Sequence, residues 1–349
     1  MKIDNIAVMH ETKFGSIKPK ISLEDMKDKG IDFGDSLNLY FSNGEKLLDV
    51  PYYNGYYVRT GKPVVCGYPG YLYPSVTDNN GGDLWIRFNL CEKDTVSIEM
   101  NTKGKYISVQ KAMNVIYTNK REDYESDEIY ANFRPMNGGN MKNDFFYRSA
   151  SPCDNQFNRA HCTDKLLNKY GINFILNLAD NEDEIRMYRE YETYDSENFD
   201  ILYDKNHVAL LDLSADYSSL HFKKVLCDGI RKMMKYDGPY LVHCTEGKDR
   251  TGFVCILLEA LMGFTYQEMK EDYMETYKNY YGFTAESDPD KYKAFVENKF
   301  NDMAMYVGDI DDESKMDIAD YCAGARKYLK EGGLSDDEVD FFIDKLIKK

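Results

Sequence analysis

Across residues 34–115 the apolar positions fall in short β-branched or aromatic runs: "LNLYF" (37–41), "VVCGY" (64–68), "LWIRFNL" (84–90), "TVSIEM" (95–100) and "YISVQ" (106–110). The stretches "SNG", "TGKP", "DNNGG" and "NTKGK" separate them. Short runs bounded by Gly, Asn, Asp and Pro read as strands joined by turns. No long helical period interrupts them. The pattern predicts a small all-β domain, a barrel or a sandwich. The tyrosines of "PYYNGYY" (51–57) read as core and rim, with a ligand surface as the alternative.

The pattern changes after a charged linker, "NKREDYESDE" (119–128). "KLLNKYG" reads as a helix and "INFILNL" (172–178) as an apolar strand. "HVALLDL" (207–213) is a second strand, "SLHFKKVLCDGIRKMMKY" a helix, and "PYLVHC" a third strand. Strands alternating with helices predict an α/β domain whose largely parallel sheet is flanked by helices. Beyond residue 252 the chain reads as helices to its end. The last of these opens at Ser335, with Glu338 placed to complete a capping box. Two domains are therefore expected: residues 1–126, β-rich and ending in the linker, and residues 127–349, α/β.

Composition narrows the classes. The 349 residues suffice for two cores. Hydrophobic residues make up 43% and charged residues 30%, the balance of a globular protein rather than a disordered one. The net charge of −16 argues against nucleic-acid partners and anionic membrane surfaces. No run is long and apolar enough for membrane insertion or for the core of a leader. The chain reads as soluble and cytoplasmic as written, with a processed, exported form as the alternative. Eight cysteines (66, 91, 153, 162, 227, 244, 255 and 322) show no CxxC pairing, so neither a zinc site nor a disulfide framework is expected. No metal or cofactor is expected either.

Cys244 stands apart. In "YLVHCTEGKDRTG" (240–252) it ends a strand and faces a loop that feeds a helix, the edge of an α/β sheet where ligands bind. A helix N-terminus offers unpaired N–H groups and positive potential, which attract an anion and favour the charged form of a thiol. The amides of Thr245, Glu246, Gly247, Lys248, Asp249 and Arg250 can wrap a tetrahedral oxyanion. Gly247 permits the tight turn, and Arg250 adds a planar fork for two phosphate oxygens. Thr251 is placed to donate its hydroxyl to the sulfur, and His243 to orient the loop by hydrogen bonding. A nucleotide-binding phosphate loop is excluded, because Lys248 is followed by Asp249 rather than Ser or Thr. A sulfurtransferase also sets a cysteine in an anion loop, but the Arg-Thr ending suits phosphate better.

"HCTEGKDRTG" resembles the HC-x5-R-[ST] signature of cysteine-dependent phosphatases, and its Gly-Lys-Asp-Arg-Thr-Gly ending resembles the bacterial tyrosine-phosphatase branch that includes lipid-active members. "NFRPMNGGNMKNDFFYRSASP" (132–152), the helices after the loop and "YLKEGGLSDDEVDFFIDKLI" are similar to the same branch. The β-rich N-terminal segment resembles a clostridial-type subgroup. Asn177-Leu178-Ala179 departs from the branch's usual Asp-Leu-Arg. The resemblance implies a phosphocysteine intermediate on Cys244, stabilisation by Arg250, and no metal. It also implies that Asp249 can serve as general acid. Asp212, in "LLDLSADYSS" upstream, is the alternative acid, with Asp216 behind it; the competing reading of both is a turn or cap before the next helix. Expected substrates are phosphorylated proteins or small phosphomonoesters. Phosphotyrosine comes first and phosphoinositide second, since Lys248 offers a cation for a further phosphate while Glu246 and the net charge of −16 oppose a strongly anionic substrate. A non-catalytic phosphate-binding module is the remaining alternative.

Overall fold

The computed structural model describes residues 1–348 except 13, 14, 69 and 80. The chain divides into two compact units: Met1–Val115 with Asp288–Asp302, and Ile116–Ser287 with Met303–Lys349.

The first unit is built on a closed barrel. Its strands are β1 (Lys2–Glu11), β2 (Ser16–Pro19), β3 (Ser36–Phe41), β4 (Lys46–Tyr53), β5 (Pro63–Cys66), β6 (Ser75–Asp78) and β7 (Thr95–Thr102), in the order β1-β2-β6-β5-β4-β3-β7. Only β4 and β5 pair in parallel; the other neighbours are antiparallel. The period of two is plain on β3, where Leu37, Leu39 and Phe41 are buried while Asn38 and Tyr40 lie outward. With Val8, Ile17, Val50, Val65, Val76, Val96 and Ile98 they fill the barrel.

Two of the runs expected to be strands are helices. In "LWIRFNL", Asp83 caps Leu84–Arg87 by accepting from the Ile86 amide at 2.9 Å. Leu84, Trp85 and Phe88 are buried on one helical face while Ile86 points out. In "YISVQ", the helix Ile107–Met113 buries Gln110 and Met113, three residues apart. β1 was not anticipated at all. Its register shifts between Ile3 and Ile6, where Asn5 takes a left-handed φ of 56°, so its apolar residues do not alternate cleanly. Asn80, within the "DNNGG" turn, lies outside the described residues.

The second unit holds a five-stranded sheet in the order β11-β10-β12-β9-β8. Its strands are β8 (Arg134–Pro135), β9 (Phe146–Ser149), β10 (Phe174–Asn177), β11 (Val208–Leu210) and β12 (Tyr240–His243). β9, β12, β10 and β11 are mutually parallel, and β8 adds an antiparallel edge. This is the expected α/β pattern. The helix Asp249–Leu261 buries 11 of its 13 residues, so it runs through the core rather than along the surface. Ser335 and Glu338 form the anticipated capping box on Asp336–Leu346. Because four strands are parallel, the loops following β9, β10, β11 and β12 leave from one edge of the sheet. The site lies there.

Candidate active site

The peptides of the loop after β12 point in a definite sense. The Thr245 carbonyl accepts from the Ser151 amide at 3.1 Å. The Glu246 carbonyl accepts from the Tyr280 hydroxyl at 2.6 Å. The Gly247 carbonyl accepts from Asn132 Nδ2 at 3.1 Å and Arg148 Nη2 at 3.2 Å. In a trans peptide the next N–H points opposite to the carbonyl. The amides of Glu246, Gly247 and Lys248 therefore face away from these protein partners, and among the described residues none of the amides of 245–250 has an acceptor. Three carbonyls satisfied on one side and a row of unsatisfied donors on the other make an anion nest. Gly247 is required: at φ +65° an added Cβ would fall 2.1 Å from the Ser149 carbonyl oxygen.

Cys244, 3% exposed, sits between the end of β12 and this nest. Arg250, in the first turn of the following helix, places Nη1 3.0 Å from the Leu213 carbonyl and Nη2 3.1 Å from Thr245 Oγ1. Its fork is thus held across the loop. Thr251 Oγ1 is buried without a partner among the described residues, so its hydroxyl makes no bond to the sulfur, contrary to expectation. His243 Nδ1 lies 3.3 Å from the Cys244 carbonyl, and its Nε2 is buried without a partner among the described residues. Burial pulls the imidazole down to about 3, so His243 is neutral across the working range.

The charged residues divide between pocket and rim. Lys248 Nζ lies 3.1 Å from Glu246 Oε2 and 3.9 Å from Asp249 Oδ2. Burial works against the Lys248 charge, but Asp249 and then Glu246 lift it well above an ordinary lysine. Asp249 opens the helix with its side chain 48% exposed. Asp212 lies in the loop after β11, exposed and at φ 45°, with its carboxylate accepting from Asn181 Nδ2 at 3.3 Å. Asp216 accepts from the Ser218 amide and hydroxyl, as a turn residue does. The structure thus brings 243–251 together around one nest, with Asp212 one residue from the carbonyl that holds Arg250.

A family model described as the tyrosine phosphatase family matches residues 130–348. The chain belongs to the tyrosine phosphatase family. No curated protein matches it.

The family match takes in residues whose part in the site the motif alone did not reveal. Arg148, fully buried, and Arg134 share the carboxylate of Asp272 at 2.6 and 2.9 Å. Burial would raise Asp272, but Arg134 and Arg148 hold it down at about 2. Arg134 Nη1 also donates to Asn132 Oδ1 at 2.6 Å. Arg134 and Asp272 thereby hold the two donors that grip the Gly247 carbonyl. The signal was present in "NFR" and "YRS", but nothing in spacing tied those segments to the loop. Asn177 donates to Asp180 Oδ2 at 2.9 Å and accepts from the amides of Ala179 and Asp180. It shapes the turn after β10. Asp154 and Asp180 are both raised by burial and lowered in part by Arg250, which places their carboxylates within its field.

Proposed function

We propose that the protein is a phosphomonoester hydrolase of the protein-tyrosine-phosphatase type, working through a phosphocysteine intermediate. The observation that carries this reading is the row of acceptor-free amides beside Cys244 and Arg250. Cys244 sulfur attacks phosphorus as the bond to the leaving oxygen breaks, and Asp249 protonates that oxygen. Water then attacks the phosphocysteine, giving its proton to the same carboxylate and releasing the thiolate. The loop amides and Arg250 stabilise charge on the transferring group. Neutral His243 orients the loop, and the Thr251 hydroxyl, which makes no bond to the sulfur at rest, would have to turn toward it to stabilise it as it leaves. Asp212 is the second candidate acid, because the Leu213 carbonyl ties its loop to Arg250. A phosphoinositide substrate would need a cation for a second phosphate, and Lys248 is balanced by two carboxylates. Residues 127–349, the tyrosine-phosphatase-like region, would carry the activity. The retained cysteine, arginine and aspartate favour turnover over passive phosphate binding.

Release of phosphate from p-nitrophenyl phosphate in the presence of EDTA tests the assignment. Cys244→Ser is expected to lower turnover by at least about a thousandfold while still binding vanadate. Arg250→Lys is expected to lose about a hundredfold or more, since a point charge cannot replace the fork. Full turnover by Cys244→Ser would overturn the reading.

A further inference from the structure

Lys248 and Arg250 are the two cations of the loop, yet they are held very differently. Among the described residues Arg250 is bound by a carbonyl and a hydroxyl, with no carboxylate bonded to it. Lys248 has Glu246 Oε2 at 3.1 Å, the Tyr281 hydroxyl at 3.4 Å and Asp249 Oδ2 at 3.9 Å. Glu246 is fixed in turn. The Tyr117 hydroxyl donates to its Oε1, while the Tyr280 hydroxyl holds its main-chain carbonyl. Tyr117 stacks on Tyr280 with ring centroids 5.3 Å apart and meets Tyr281 edge-on at 5.4 Å. The side chains of Lys248 and Glu246 are only 16% and 21% exposed, so solvent screens the pair weakly.

We propose that the Tyr117–Glu246–Lys248 clasp is a charge filter that selects substrates carrying a single phosphate on an aromatic group. The inference rests on the hydrolase reading above and adds its substrate selectivity. A second phosphate beside the first would seek the nearest cation outside the nest. Here that cation is already held by Glu246, with Asp249 beside it, so it has no unmatched charge to offer, and Glu246 repels a further dianion even while Asp249 carries the proton it will donate. Selectivity by repulsion costs the preferred monoester nothing, because its one phosphate is met by the amides and Arg250. The partly exposed rings of Tyr117 and Tyr281 bring aromatic surface to the same rim, suited to an aryl leaving group. Tyr117 acts through Glu246 and is a positioning residue.

The test compares kcat/KM for p-nitrophenyl phosphate with that for a short-chain phosphatidylinositol bisphosphate bearing adjacent phosphates. The full chain is used throughout. Glu246→Gln, which frees Lys248, is expected to raise the bisphosphate-to-aryl ratio about tenfold, chiefly through a lower KM for the bisphosphate. Tyr117→Phe, which only loosens Glu246, should move the ratio in the same direction by about threefold. Adding Lys248→Met to Glu246→Gln should return the ratio to that of the wild type. A merely structural role would lower both substrates together and leave the ratio fixed, and that result would overturn the clasp. Wild-type protein inactive on both substrates would instead bring down the hydrolase reading, and the filter with it.

Discussion

At the scale of single residues the open question is which carboxylate delivers the proton. Asp249 belongs to the first turn of the helix that carries Arg250, and its side chain is 48% exposed, reachable by a leaving group. Asp212 is equally reachable but lies on a loop, held by one amide from Asn181 at 3.3 Å. The rigid position favours Asp249, since an acid works only within hydrogen-bond reach of the oxygen it serves. Asp249→Asn is therefore expected to slow aryl phosphates with poor leaving groups by about a hundredfold, and to spare those with good ones. An electron-poor phenolate departs without help, so loss of the acid steepens the plot of rate against leaving-group pKa. Asp212→Asn should leave that slope unchanged. A steep slope for Asp212→Asn and a shallow one for Asp249→Asn would move the role to the loop after β11. Asp249 would then keep only its part in balancing Lys248.

At the scale of elements, the helix Asp249–Leu261 buries a titratable group that the chemistry does not use. Glu259 is fully buried, and neither carboxyl oxygen has a partner among the described residues. Burial, and then the charge of Asp272, push it well above its ordinary value of 4.5. The sign follows from proton counting. Above 4.5 the unfolded chain gives up this proton while the folded chain keeps it. Folding then takes up a proton, and stability falls as pH rises from there toward the folded value. The slope from this one group is about 1.4 kcal/mol per pH unit while it lasts. Glu259→Gln keeps a neutral side chain of the same shape and removes that slope. Thermal melts should show the variant's advantage growing from pH 5 to pH 8, and parallel curves would mean that Glu259 ionises in place.

The elements also show what the sequence could tell. The α/β half was readable from β10, β11 and β12, which are continuous apolar runs near clear helical periods. By contrast, β8 ("RP") and β9 ("FYRS") carry charge or are too short to read as strands. The nest was readable because one loop carries the whole motif. The barrel was harder. "LWIRFNL" and "YISVQ" are rich in β-formers, but their buried residues stand at helical spacings, which runs of five to seven residues display too briefly to notice. β1 hid behind its register shift. The grip of Asn132 and Arg148 on Gly247 joins segments about a hundred residues apart, a pairing that only the folded chain displays.

At the scale of the whole molecule, composition and packing divide the chain differently. The charged stretch 119–128 marks an obvious place to cut, and every residue of the proposed site except Tyr117 of the clasp lies beyond it. Yet Asp288–Asp302, far along the chain, groups with the barrel unit. Lys299 Nζ donates to the Tyr56 carbonyl at 2.9 Å, and Asp302 Oδ2 accepts from the Thr60 amide at 2.9 Å. The helix Pro289–Phe295 packs on Ile107–Met113, and Phe295 and Phe300 are 4% and 0% exposed. A fragment of residues 116–349 keeps these two rings but loses the unit to which they belong. Each buried Phe contributes about 1.5–3 kcal/mol, so the fragment carries a sticky segment rather than a neutral loop. It is expected to bind a dye specific for exposed apolar surface and to aggregate on heating below the melting temperature of the full chain. Replacing 288–302 in that fragment with a Gly/Ser linker of equal length should abolish dye binding. Aryl phosphatase activity should persist, because the nest, Cys244, Arg250 and both candidate acids lie within the second unit. If the 116–349 fragment neither binds the dye nor loses heat resistance, the segment does not depend on the barrel unit for its burial.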